Sequence, residues 1–341
     1  MGPSFRWDDI GVGGRLVRKW QIPQYSPVSA PSIFSDRRVV VATALLCCLL
    51  WGSAVPAVKI GYGLLGILPA DTPSLLLFAG LRFSLAGLLL LAYTAATGKP
   101  LLPSPRRLGE LALLGLILTA VQYLFYYVGL AHSTGTKVSI ITSTSTFFSV
   151  LLAHWLYRND KLTGRRILGC LVGFAGVVTV NLSAAGSDMH LTLLGEGFII
   201  IAALMFSLGA IYGKRLSADM EPATMTGWQL LLGGLMLTVA GFAGGGHFTG
   251  FGWDASLLLV YLAALSAAAF ALWSVLMKHN PVGAVAIFNC AIPIFGVLLS
   301  GLFLGESILE WKNLAALVLV SLGIWLVTAS ARAATPSSPL P

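Results

Sequence analysis

Arg82 lies inside an apolar run, with Leu75-Leu76-Leu77-Phe78 before it and Leu88-Leu89-Leu90-Leu91 behind. An ionised group in such surroundings must turn into a protein interior and find partners there. Two chemistries follow. The guanidinium is either a fixed cation that receives a carboxylate or phosphate, or a donor to carbonyls that glycines and prolines expose on neighbouring helices. Thr119, Gln122, Tyr123 and Tyr126 follow at i, i+3, i+4 and i+7, one face of a helix. Lipid rejects an amide, so this face looks inward, and Gln122 and Tyr126 either line a cavity or pack. Tyr127 lies about 100° round the axis and is assigned to packing or to an interfacial belt.

Ser139, Thr142, Ser143, Thr144, Ser145 and Thr146 form a hydroxyl run. Such hydroxyls bond back to their own i−4 carbonyls and let helices approach closely. Ser139, Thr142 or Ser143, and Thr146 remain candidate ligand contacts. Asn289 reads as an amide in mid-span, beside Pro293, which frees a backbone carbonyl. Trp228, Gln229 and Trp273 complete the inward candidates. Trp51, Lys59, Lys214 and Pro293 are candidates for the mouths of a pathway, although both lysines stand at helix ends where they can simply snorkel. The carboxylates all fall at or beyond the ends of apolar runs, so no carboxylate proton relay is expected, which leaves substrate-linked or histidine-linked proton movement open. His132 and His154 read as structural. Cys47, Cys48, Cys170 and Cys290 act as small apolar residues, without metal-ligand spacing. No catalytic residue, metal or cofactor is expected. Neither GxSxG nor HExxH occurs, although an intramembrane enzyme acting on lipid-linked substrates is the rival class.

These residues need helices in a membrane to hold them. The chain has 341 residues, of which 10% are charged and 57% apolar, against roughly 25% charged in soluble domains. That composition excludes a soluble enzyme, a disordered regulator and a nucleic-acid partner, despite the net charge of +8. Charge-free runs cover residues 39–58, 83–98 (extended back to about Pro73), 111–136, 138–157, 167–187, 197–213, 222–253, 255–277, 280–305 and 313–331. Ten transmembrane helices result. With the N-terminus inside, Arg37, Arg38, Lys99, Arg106, Arg107, Arg165, Arg166, Lys214 and Arg215 share the cytoplasmic side, and only Lys137 and Lys312 stand opposite. The bias puts both termini in the cytoplasm.

Trp51-Gly52-Ser53 leads to Lys59 as Phe206-Ser207-Leu208 leads to Lys214, eight residues after the aromatic in both. Asp160-Lys161-Leu162-Thr163 matches Glu306-Ser307-Ile308-Leu309 ahead of a Gly/Ala-rich helix. Five spans per copy is an odd number, so the second copy inserts upside down. An inverted repeat is the plan of a secondary transporter with a midplane site between the halves. The fold class is therefore all-α integral membrane, ten transmembrane helices as two inverted five-helix repeats. The repeats cover 38–183 and 190–330, between a disordered segment at 1–37 and a tail at 331–341.

Trp51-Gly52-Ser53…Pro56…Lys59, Arg82-Phe83…Ala86-Gly87 and the small-residue helices after Asp160 and Glu306 resemble the EamA-type drug/metabolite transporter superfamily. The resemblance runs from Val39 to Ser330. One departure is Pro293, where the first repeat has Phe147. The resemblance implies export, facilitation or exchange of small metabolites without fixing a substrate; amino acids are the favoured cargo here, with nucleotide-sugar or phosphate-type anions as the alternative. The implied partners are a small-molecule substrate and the lipid bilayer. The implied state is a monomer or weak homodimer in the inner membrane.

Overall fold

The computed structural model describes residues 7–12, 15–20, 33–156, 162–182, 191–217, 220–280, 285 and 287–333. The Asp160-Lys161 half of the repeat signature, the join at 183–190 and the tail beyond 333 lie outside the described residues. So does most of the segment before Ile33. Within that segment, Trp7–Val12 (β1) pairs antiparallel with Arg15–Trp20 (β2). The sequence reading left these residues without structure. Asp8 stands opposite Lys19 and Asp9 opposite Arg18, and two glycines separate the strands in sequence, as short hairpins favour.

The rest is helical. Eight helices are long and apolar enough to cross a membrane among the described residues. They are α1 (Arg37–Leu64), α2 (Thr72–Ala96), α3 (Pro105–Ala131), α4 (Gly135–Leu156), α6 (Leu193–Leu216), α7 (Pro222–Ala243), α8 (Trp253–His279) and α10 (Trp311–Ala333). Two shorter helices stand between them, α5 (Gly164–Val180) and the apolar α9 (Phe288–Leu304). Starts follow local chemistry. Asp36, Asp71, Ser104, Thr163 and Glu221 each accept from an N–H of the first turn, and Pro73, Pro105 and Pro222 occupy the opening positions. For that reason α3 begins six residues before the charge-free run that predicts it. Gly244-Gly245-Gly246 ends α7 well short of Trp253, with Gly245 at φ 84°.

Helix α1 packs on α8 and α9, and α6 packs on α3 and α4. Likewise α2 meets α8 where α7 meets α3, while α2–α7, α4–α9 and α5–α10 pair directly. Exchanging the first five helices for the second five leaves this pattern unchanged. Glycines bring the central pairs into backbone contact. A Cβ on Gly87 would lie 2.4 Å from the amide N of Leu231, and one on Gly234 would lie 2.4 Å from that of Ser84. Gly169 and Gly323 do the same for α5 and α10.

Each end of the α2–α7 pair is strapped by the other helix's loop. At the face carrying most of the cations (the basic face), Lys99 Nζ donates to Glu221 at 2.7 Å, and Thr224 Oγ1 and Trp228 Nε1 donate to the carbonyls of Pro100 and Leu101. At the opposite face, Ser74 Oγ donates to the His247 carbonyl and accepts from its N–H. Burial pushes the Glu221 carboxyl up, but the bonds from Lys99 and Thr224 N–H outweigh it and hold the group below its usual range. A depressed carboxylate stabilises the fold above its unfolded pKa, and that stability is lost as pH falls through the folded value. Glu221→Gln is therefore expected to cost about 1 kcal/mol at pH 7, and the difference from native is expected to vanish once pH has fallen below the lowered folded value. Thermal unfolding in detergent across that range checks both limits.

Candidate functional site

Arg82 is the eleventh residue of α2, roughly 15 Å from its start at 1.5 Å per residue. Its side chain is 3% exposed. Nε donates to Ser266 Oγ of α8 at 3.0 Å, and Nη1 donates to the Tyr127 hydroxyl of α3 at 3.2 Å. The guanidinium also lies 4.8 Å from the Phe83 ring centroid. Nη2 makes no hydrogen bond among the described residues. Tyr127 is fully buried, and its carbonyl accepts from the Tyr62 hydroxyl of α1 at 3.0 Å. Tyr62, Phe78, Tyr123 and Tyr126 surround it edge to face or tilted, with centroids 5.8–6.3 Å away. An uncompensated cation is thus held by hydroxyls and ring faces, whose dipoles replace the water it lacks.

The sequence expectation for this arginine, carbonyls as the structural partners, is corrected here. Its partners are side-chain hydroxyls from two other helices. The sequence reading assigns Tyr127 to packing or to an interfacial belt and does not single out Ser266 or Tyr62 as partners. A Ser on the small-residue stretch Leu265–Ala269 carries no signal by itself, because back-bonding to Leu262 explains it equally well.

Gln122 sits one turn before Tyr126, as the spacing requires, and is 5% exposed. Its Oε1 is buried with no hydrogen-bond partner among the described residues. The six residues just before it, Leu116–Val121, form a π turn, an irregularity that recurs where helices carry function. There α3 and α7 touch through Gly115 and Gly233, and Gln229 Nε2 donates to Thr119 Oγ1 at 2.5 Å. Gln229 thereby joins two helices.

The remaining candidates separate. Trp228 faces the 97–104 loop, its N–H taken by Leu101. Trp51 meets Trp273 at 5.1 Å and Phe270 at 5.6 Å between α1 and α8. Thr142 Oγ1 bonds back to the Val138 carbonyl, as read from the hydroxyl run, while Thr146 is half-buried one turn on. Asn289 is not in mid-helix. It belongs to the 3-10 turn Ile287–Cys290 that opens α9, because Pro281 and Gly283 follow the end of α8 in sequence. Cys48 Sγ contacts the neighbouring Phe288 carbonyl at 3.2 Å, so this start lies twelve residues along α1. Pro293 is buried as the third residue of the regular α-helical part of α9, Ala291–Leu304. Lys214 is exposed at the basic end of α6.

Lys59 does more than snorkel. Nζ donates to the Ser133 carbonyl and stands 3.9 Å from Glu306. Close by, Glu196 accepts from Ser133 Oγ, Lys137 Nζ and Thr192. A cavity of about 420 Å³ opens there, lined by Pro69, His132, Ser133, Lys137, Thr192 and Glu196 among others. It lies at the face opposite the basic one, not at the midplane that the repeat suggests. Glu196 and Glu306 are at helix ends, as the sequence indicates, yet both are built into the packing.

Known proteins supply independent findings. The model of the EamA-like transporter family matches this chain twice, at residues 38–182 and 193–329. The "uncharacterized transporter YvbV" of Bacillus subtilis is 28% identical over 305 residues, covering 85% of this chain and 93% of its own. The "uncharacterized inner membrane transporter YedA" of Escherichia coli K12 is 26% identical over 291 residues, with 82% and 90% covered. A solved crystal structure at 20% identity shares the fold with a TM-score of 0.63, over 88% of this chain and 100% of that one. Two matches in tandem over the two halves that exchange helix for helix identify the chain as a multi-pass membrane protein belonging to the EamA-like transporter family.

Proposed function

We propose that α1 to α10 all span the inner membrane, with both termini cytoplasmic, and that the two five-helix repeats are inverted. The chain then moves a small metabolite by alternating access, as an exporter, facilitator or exchanger, with amino acids the favoured cargo. The observation that carries this reading is the Arg82–Gln122 interior. A cation with an unused Nη2 and an amide oxygen without a partner among the described residues are both buried in the bundle. A carboxylate answers the first and an N–H donor answers the second, and an amino acid carries both. The exchangeable helix pairings support the two-state rocking that such a site needs.

Counterflow of labelled amino acids in liposomes tests it. Saturable flux is expected, and Gln122→Ala is expected to lower it at least about tenfold, the equivalent of one buried hydrogen bond, while thermal unfolding stays near native. Folded protein with no saturable flux of any amino acid or related metabolite overturns the reading. Arg82 also favours a second cargo class, phosphate-type anions, and uptake of a sugar phosphate in the same liposomes distinguishes it.

A further inference from the structure

At the face opposite the basic one, the first turn of α4 holds a carboxylate. Glu306 Oε1 accepts from Gly135 N–H and Oε2 from Thr136 N–H, both at 2.7 Å. The helix does not need this cap to exist, since Thr134 Oγ1 already accepts from Lys137 N–H and the Thr134 carbonyl takes Val138 N–H. Glu306 reaches in from 171 residues away in sequence. Gly305, at φ 68° in the left-handed region that favours glycine, turns the chain toward it at the end of α9. Lys59 adds a positive charge 3.9 Å from the same carboxylate.

Two hydroxyls beside this fork have no partner among the described residues. Thr136 Oγ1 and Ser300 Oγ are buried and unbonded, in residues 3% and 0% exposed. Ser300 Oγ lies only 2.6 Å from where a Cβ on Gly135 would be, so it borders the fork directly. Two N–H groups, two idle hydroxyls and a lysine are more than one capping glutamate uses. They make a site for a free carboxylate with donors to spare.

We propose that this fork is a carboxylate-binding station whose occupant in this closed face is the chain's own Glu306. When the face opens, Glu306 leaves with the α9–α10 loop and the carboxylate of a small molecule takes its place. Beneath the fork α4 and α9 are sealed: a Cβ on Gly296 would lie 2.4 Å from Ser139 Oγ, and Ser139 is buried. Withdrawal of Glu306 releases the pair. The role in opening rests on the transport reading, whereas the binding chemistry does not.

The test uses purified full-length protein in detergent and needs no flux. In Glu306→Ala the fork is vacant, so acetate at 100 mM is expected to raise its Tm by several degrees over equimolar chloride, by mass action. The native protein is expected not to respond, and Lys59→Met in the Glu306→Ala background is expected to lose most of the shift. Equal acetate effects in native and variant, or none in either, overturn the station. Should Glu306→Ala not fold, maleimide labelling at position 139 decides. Ser139→Cys combined with Glu306→Gln is expected to label about tenfold faster than Ser139→Cys alone, the change that one weakened charge-assisted bond makes in an equilibrium. An unchanged rate overturns Glu306 as the occupant that closes this face. If liposomes show no flux while acetate still stabilises Glu306→Ala, the transport reading fails and the station stands.

Discussion

Arg82→Ala is expected to lose about 3 kcal/mol of stability, and Arg82→Met less than about 1 kcal/mol, while both lose flux. The alanine leaves a cavity and strands the Tyr127 hydroxyl, whose bond from Nη1 is its only one among the described residues. Ser266 suffers less, because it still donates to the Leu262 carbonyl. Methionine refills most of the volume and removes a charge that was expensive to bury, so the two terms offset. Arg82→Lys falls between them. A lysine has one head group and cannot reach Ser266 on α8 and Tyr127 on α3 together, as the guanidinium fork does. Chemical unfolding in detergent and liposome flux, measured on the same preparations, check the series. A methionine variant that transports like native protein would reduce Arg82 to a packing element and remove the cation from the proposed cargo site.

Gly87→Val is expected to give the largest structural defect, a loss of 3 kcal/mol or more, roughly the upper end for overpacking. The added Cβ would stand 2.4 Å from Leu231 N, 2.7 Å from Leu231 Cα and 2.8 Å from the Gly227 carbonyl oxygen. All three belong to the α7 backbone, which has no rotamer to change. Gly63→Val is the control, since a Cβ there meets nothing within 4 Å. Detergent-solubilised yield and Tm should fall sharply for the first and stay near native for the second. Similar behaviour of the two would mean that α2 and α7 are less closely apposed than the structure has them.

The helices were legible because lipid imposes a simple rule: charge-free length reads directly as span, and most observed helices fall within a turn or two of their runs. Boundaries slipped where caps, not hydropathy, set the end. The case of α3 shows it, where Ser104-Pro105 starts the helix inside a charged stretch. Asn289 slipped for the same reason in reverse, since an apolar run through Pro281 hid a break. Inward placement was readable where a residue is alien to its surroundings, as with the buried Arg82 and Gln122. Their partners were not. Tyr127, Ser266 and Tyr62 are ordinary residues in apolar helices, and only the three-dimensional meeting of α1, α3 and α8 at α2 gives them a task. Glu306 was hidden in another way. Its position after α9 marks it as peripheral, and nothing local says that it reaches back to Gly135.

The partnership around Arg82 also constrains the order of events during synthesis. Its first partner, Tyr127, leaves the ribosome 45 residues later, but Ser266 follows only after 184. The glycine face of α2 waits almost as long for α7, with 144 residues between Gly87 and Leu231. A nascent chain halted after the first repeat would hold an arginine half satisfied and a bare stripe of backbone turned to lipid. The two halves look like separate units in sequence, yet the first becomes a stable object only when the second has arrived to complete it.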